Sequence, residues 1–295
     1  MSSLIEQAAQ RLEQLRKTGA AMAQNVPDIK PAKPVHKASA AAGPGAESAP
    51  AQPSVSRKVE IDLAALARIG IVTPDAPRSQ IADEFRVIKR PLISNALGKG
   101  ASAIASGNLI MVTSALPGEG KTFAAINLAM SIATELDCTV MLVDADVARP
   151  SVMNVLGLPA SPGLLDLVAG DSTDVAPYLL KTNVEKLSIL PSGMRHDRAT
   201  ELLASEAMTR LLNDMAKRYS DRIIVFDSPP LLLTTESPVL ATHMGQVVVV
   251  VRAEETLQSD VNQALALIDS CPVRLMLLNQ AQSASAEGYG YGYGA

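Results

Sequence analysis

The sequence predicts an α/β fold, doubly wound around a mostly parallel sheet. Three observations carry that prediction. Apolar runs of strand length near 109–113, 139–144, 187–190, 222–227, 246–251 and 273–278 do not alternate with polar residues, so they read as strands buried on both faces. Segments of helical spacing fill the gaps near 121–136, 163–169, 205–219, 236–243 and 256–270. The first run also passes through a glycine-containing loop straight into the first of those helices, as a βαβ unit requires. Right-handed crossovers then place a ligand at the C-terminal edge of the sheet. The order of the strands is not written in this pattern.

With 295 residues, 47% of them apolar, the chain holds one such domain of about 200 residues and some appendages. Residues 3–18 place Leu4, Ile5, Ala8, Leu12 and Leu15 at helical spacings, with Glu6, Arg11, Glu13 and Arg16 elsewhere on the wheel. The segment 1–23 therefore reads as an amphipathic helix, either a frayed end or a docking helix for a partner. From 24 to 57 the composition falls to Ala, Pro, Ser, Gly and Lys, which buries too little apolar surface to offset ordering entropy. That stretch is expected to be a disordered linker. Asp62 is placed to cap a short helix that Gly70 ends. A longer helix over 79–97 follows, with Ile81, Phe85, Ile88 and Leu92 as its buried stripe. Asp83, Arg86, Lys89 and Arg90 lie off the stripe, and Pro91 is expected to kink the helix. The strand-and-helix block then continues, so 58–280 reads as the domain and 281–295 as a flexible tail of tyrosine and glycine.

The formal charge of −4 divides unevenly, with residues 1–60 net +3 and the remainder net −7. A strongly basic nucleic-acid binder is excluded on that balance. Cys138 and Cys271 lie beside strand runs without CxxC or Cys/His spacing for zinc, and read as reduced core residues. His36, His196 and His243 also lack metal or triad spacing, and Arg195-His196-Asp197-Arg198 reads as a solvated loop. No apolar run approaches the roughly 20 residues that span a bilayer, and the charged N-terminus is unlike a signal peptide. A cytoplasmic chain is expected, touching a membrane only through a partner or a surface helix.

Four segments carry chemistry. In LIMVTSALPGEGKTFAAINLAM a buried strand enters a loop, Ala115 to Thr122, that ends Gly120-Lys121-Thr122 and opens a helix. Backbone N–H groups of such a loop surround phosphate oxygens, Lys121 neutralises their charge, and Thr122 is placed to ligate Mg²⁺. Ala115 stands where the GxxxxGK[ST] pattern has its first glycine. In TVMLVDADVARP a strand delivers Asp144 and Asp146 to the same sheet edge, and alternation points both carboxylates to one side. In RIIVFDSPP another strand ends in Asp227, which fits the Walker B role of holding Mg²⁺ through water. The tail EGYGYGYGA places Tyr289, Tyr291 and Tyr293 between glycines, where packed structure is disfavoured and the hydroxyls are available as substrates. An aromatic tail that merely adheres to surfaces is the plainer alternative.

Together these segments resemble the bacterial tyrosine kinases (BY-kinases) of exopolysaccharide assembly, and among them the tyrosine autokinases associated with exosortase gene clusters. The resemblance runs from about residue 58 to the C-terminus, and SLIEQAAQRLEQLR at the N-terminus is similar to that subgroup. SALPGEGKT looks like the family's Walker A, VMLVDADVARP its Walker A′, IIVFDSPP its Walker B and YGYGYG its tyrosine cluster. The resemblance implies a P-loop NTPase that uses ATP and Mg²⁺ to phosphorylate protein tyrosines, its own Tyr289, Tyr291 and Tyr293 included. It implies a nucleotide site of Pro117, Gly118, Glu119, Gly120, Lys121, Thr122 and Phe123, with Asn279 near the base. Asp144 would take the proton of the incoming tyrosine, while Asp146 and Asp227 would hold Mg²⁺ with Thr122. The family further implies a transmembrane activator of the polysaccharide chain-length type, and a ring of subunits in the unphosphorylated state. Asp83, Arg86 and Lys89 stand where the ring-forming ExxRxxR helix motif would be, and Ala148 stands where relatives often have arginine.

Two other readings compete. A partition- or septum-positioning ATPase of the same broad fold hydrolyses ATP as a dimer switch, but such enzymes carry a second lysine early in the loop. Here Leu116 occupies that place and no lysine lies between Gly107 and Lys121. A nucleotide-gated scaffold without catalysis is the second, and intact Lys121, Asp144, Asp146 and Asp227 speak against it.

Overall fold

The computed structural model describes residues 57–75, 79–100, 103–219 and 221–281. The expected N-terminal helix, nearly all of the linker, His36, and the tail with Tyr289, Tyr291 and Tyr293 lie outside the described residues. Strand β1 (Arg57–Lys58) leads into helices α1 (Leu63–Arg68) and α2 (Gln80–Ala96). The winding then begins with β2 (Leu109–Ser114), α3 (Lys121–Ala133), β3 (Thr139–Asp144), α4 (Val152–Val155) and α5 (Leu164–Ala169). It continues through β4 (Leu180–Lys181), β5 (Leu187–Leu190), α6 (Ala199–Leu203), α7 (Glu206–Arg218) and β6 (Arg222–Asp227). The last elements are α8 (Glu236–Ala241), β7 (Gln246–Arg252), α9 (Gln258–Leu267) and β8 (Val273–Asn279).

Among the described residues eight strands form one sheet in the order β1-β4-β5-β3-β6-β2-β7-β8. Every pair is parallel except β4 with β5. Strand β6 lies between β2 and β3, so three C-terminal strand ends converge there, and Asp144 faces Asp227 in register. The sheet is doubly wound because its central strands bury both faces. Leu109 and Met111 belong to one core cluster and Ile110 and Val112 to the other. Strand β6 divides the same way, with Ile223 and Val225 on one side and Ile224 and Phe226 on the other. That two-sided burial is why these runs show no polar alternation.

Local sequence sets the helix ends. Asp62 Oδ1 accepts from Ala65 N at 2.9 Å to start α1, and Ser79 Oγ accepts from Ala82 N at 3.3 Å to start α2. Each such cap is worth about 1 kcal/mol. Helix α2 buries Phe85 and Leu92 and runs on with Pro91 inside it.

Two expectations need correction. Lys89, placed off the buried stripe of α2, is 3% exposed. Its ammonium pairs with Glu135 Oε1 at 2.7 Å and also donates to the Ser131 carbonyl and to Thr134 Oγ1. The run at 273–278 is not buried on both faces, because β8 is an edge strand and Arg274, Met276 and Leu278 are exposed. The short elements β1, β4, α4 and α6 carry too few residues for a periodicity to register. Cys138 and Cys271 are free, buried thiols. Among the described residues no helix is long and apolar enough to cross a membrane.

Candidate functional site

The loop between β2 and α3 is built on two glycines in the left-handed region, Gly118 at φ 85° and Gly120 at φ 92°. A Cβ on Gly120 would also collide with Nδ2 of Asn279, so this position is closed to other residues twice over. Ala115 takes no such conformation. Its methyl is fully buried in the second core cluster, which explains why the usual glycine is dispensable there. Gly120 is the N-cap of α3, and no side chain caps that helix end. The first N–H groups of a 13-residue helix are therefore directed toward an incoming anion.

Glu119 holds the loop in shape. It is 3% exposed, and its Oε2 accepts from Leu116 N at 2.6 Å, closing the first turn. Its Oε1 accepts from Thr256 Oγ1, beyond the end of β7. Asn279, at the end of β8, donates from Nδ2 to the Glu119 carbonyl at 2.8 Å. The loop is thus fastened to β7 and β8 through residues more than 130 positions away. Thr256 was not among the residues expected here, and no local sequence signal marks it.

The strand ends bring the acids together. Thr122 Oγ1 donates to Asp227 Oδ2 at 2.7 Å and lies 3.0 Å from Ser151 Oγ, a second unexpected neighbour. Lys121 Nζ pairs with Asp146 Oδ2 at 2.9 Å, and Asp146 Oδ1 accepts from Arg149 N at 3.1 Å. Asp144 Oδ2 accepts from Val152 N at 3.1 Å. Asp144 and Asp227 expose no surface, and Oδ1 of each lacks a hydrogen-bond partner. Burial pushes the Asp144 carboxyl up to about 8, with the neighbouring Asp227 charge adding to the rise. Burial likewise raises Asp227 to about 7, against the pull of Lys121 and the Thr122 hydroxyl.

Two buried carboxylate oxygens without partners, beside the Lys121–Asp146 pair, mark a site that a ligand would complete. Among the described residues no cluster of three or more His, Cys, Asp or Glu side chains is arranged to hold a metal ion. A divalent ion here would draw further oxygens from water or a phosphate, as Mg²⁺ characteristically does. Thr122 and Asp227 fit that role. The remaining expected residues divide. Phe123 is half-buried and its ring packs near Gly70. Asp83 and Arg86 pair with each other on the surface of α2, whereas Lys89 is engaged within the chain. Residues 195–198 are exposed.

Comparisons with known proteins agree with this geometry. The family model for the AAA domain matches residues 107–281, more than half of the chain. Tyrosine-protein kinase YwqD of Bacillus subtilis is 27% identical over 206 residues, covering 70% of this chain and 83% of that protein. EpsB of Ralstonia nicotianae is 31% identical over 168 residues, 57% of this chain. The chain spans 22% of the length of EpsB. Among solved structures, the kinase domain of VpsO superposes with a TM-score of 0.56 at 27% identity, covering 68% of this chain and 96% of that domain.

Proposed function

The chain belongs to the AAA-domain family, and from that premise we propose that it is an ATP-dependent protein-tyrosine kinase acting on its own C-terminal tyrosines. ATP with Mg²⁺ supplies the transferable phosphoryl group and the charge that balances it. The loop N–H groups and the start of α3 bind the phosphates, and Lys121 exchanges Asp146 for them. Thr122 and Asp227 would hold the metal, with Asp146 as a further oxygen donor when Lys121 is drawn to the phosphates. Asn279 and the loop it fastens form the wall beside the base. Asp144 would take the phenolic proton as the tyrosine oxygen bonds to the γ-phosphorus and the bond from that phosphorus to the departing ADP breaks. A free tyrosine ionises near 10, so a buried carboxylate with a raised pKa is better matched to that proton than an ordinary one.

One observation favours this reading over a switch ATPase. Leu116 takes the place of the second lysine, and its N–H is bound to Glu119, so the loop is closed from within its own chain. The similarity to YwqD and to the VpsO kinase domain supports the same choice. The wider assignment follows the resemblance: an exosortase-associated autokinase that regulates exopolysaccharide synthesis or export from the cytoplasmic face of the membrane. Its partner is a transmembrane activator of the chain-length type. Asp83 and Arg86, exposed on α2, are the ring contacts, with Lys89 supporting them from within.

Intact-mass spectrometry after incubation with ATP and Mg²⁺ tests the central claim. The full chain gains phosphate groups, and a chain truncated before Gly288 gains none. Steady ADP release without added mass would instead identify the switch ATPase.

A further inference from the structure

The opposite end of the sheet carries a second polar cavity, of about 460 Å³, that the nucleotide chemistry leaves unexplained. Its floor is a row of side chains across five neighbouring strands. Lys58 of β1 is the register partner of Lys181 of β4, and Lys181 of Ser188 of β5. Thr139 of β3 and Arg222 of β6 are partners in turn. Ser188 faces Met141 in register, and Thr139 precedes Met141 by two residues, so all five lie on one face of the sheet. Lys186, just before β5, also lines the cavity. The row spans about 19 Å at the usual strand spacing of ~4.8 Å. It begins about 16 Å from Asp144 along β3, at ~3.3 Å per residue.

Four cations, Lys58, Lys181, Lys186 and Arg222, line the cavity against two acids, Glu60 and Glu185. Among the described residues none of the four forms an ion pair with a carboxylate. Lys186 instead donates to the carbonyls of Glu135 and Leu136 at 2.7 Å each. Arg222 lies over the Tyr219 ring, 4.7 Å from its centroid, which fixes the guanidinium plane. Two buried polar atoms in this lining lack a partner, Arg222 Nε and Thr139 Oγ1, on register-paired residues. Buried groups of this kind are almost always satisfied in folded proteins, so these two point to a partner that the described residues do not supply.

We propose that this cavity binds a small phosphorylated molecule, its phosphate met by Lys181 and Lys58 at one end of the row and its other acceptor oxygens by Thr139 and Arg222 at the other. Several donors arriving from separate strands suit a tetrahedral anion with many acceptor oxygens better than a single planar carboxylate. The volume lies within the range of small-molecule pockets and leaves room for an organic group beyond the phosphate. The site is independent of the kinase reading, because it shares no residue with the phosphate loop.

Glucose 1-phosphate is the probe, titrated calorimetrically into the full chain preloaded with a non-hydrolysable ATP analogue and Mg²⁺. Saturable binding is expected, with inorganic phosphate competing for the same heat and glucose giving none. Arg222→Gln and Lys181→Gln should each weaken binding at least about tenfold. The Lys181 side chain is exposed on the two-residue strand β4, next to the edge strand β1, so its variant reports binding with little folding penalty. Met276→Lys, at the far edge of the sheet, should bind the probe as the unchanged chain does. No saturable heat at about 10 mM probe would overturn the proposal. So would full affinity in Lys181→Gln, or a heat seen only when the ATP analogue is left out, which would place the probe on the nucleotide loop.

Discussion

Strands β3 and β6 are buried on both faces and end in Asp144 and Asp227, which expose nothing, whereas β8 leaves Met276 and Leu278 each 65% exposed. The centre therefore carries its polar groups where solvent cannot help them. The edge carries apolar groups where solvent can reach them. Each arrangement costs stability relative to the reverse, and the two costs differ in kind. A buried carboxyl without a partner is a large penalty that the chain keeps because a ligand relieves it. A methionine on an edge strand is a small one, common on protein surfaces. The loop that serves the centre is tied to this edge by the bond from Asn279 on β8 to the Glu119 carbonyl.

If the centre is organised for proton transfer, Asp144→Asn should have the largest effect. The amide keeps the shape and the contact to Val152 N, so ATP binding should persist within a few-fold. Transfer to tyrosine should fall by about 10²–10⁴, the usual contribution of a positioned base. Single-turnover phosphorylation measured beside nucleotide affinity checks this, and an unchanged transfer rate would move the proton-accepting role elsewhere.

A smaller effect sharpens the same contrast without any substrate. Asp144 and Asp227 have folded-state values of about 8 and about 7, well above the ~3.9 of an unfolded aspartate. Between those limits the folded chain holds protons that the unfolded chain has released. Stability from this pair is thus fully present at acid pH and is lost as pH rises through about 7 to 8. In chelator, with no nucleotide, the thermal midpoint should fall by several °C or more, on the order of a few kcal/mol of stability, between pH ~6 and ~9. Asp227→Asn should flatten that slope, and an identical slope in the variant would show that other groups produce it.

How much of this was legible in the sequence follows the same division. The central strands announced themselves because two-sided burial removes polar alternation, and the loop did so because Gly120, Lys121 and Thr122 must be contiguous. Strand β8 was misread as buried on both faces, since an apolar run looks alike whether one face or two are covered. Lys89 was placed at the surface because a lysine off the apolar stripe is normally solvated, and its carbonyl and carboxylate partners lie more than 40 residues away. Thr256, Ser151 and the Arg222–Thr139 row were invisible for the same reason. Their neighbours come from strand order, and the order placed β6 between β2 and β3 without any mark in the chain.

The edge makes the mildest demand. Met276→Lys replaces a side chain that is already mostly in water, on a face with no strand beyond it. The ammonium can stay solvated while its stem covers the same apolar neighbours, and lysine on an edge strand opposes strand-to-strand association. Stability should change by no more than about 0.5 kcal/mol in denaturant unfolding, and tyrosine phosphorylation should not change. A loss of about 2 kcal/mol or more would mean that this face is covered in the folded protein, and the contrast between centre and edge would then fail at β8.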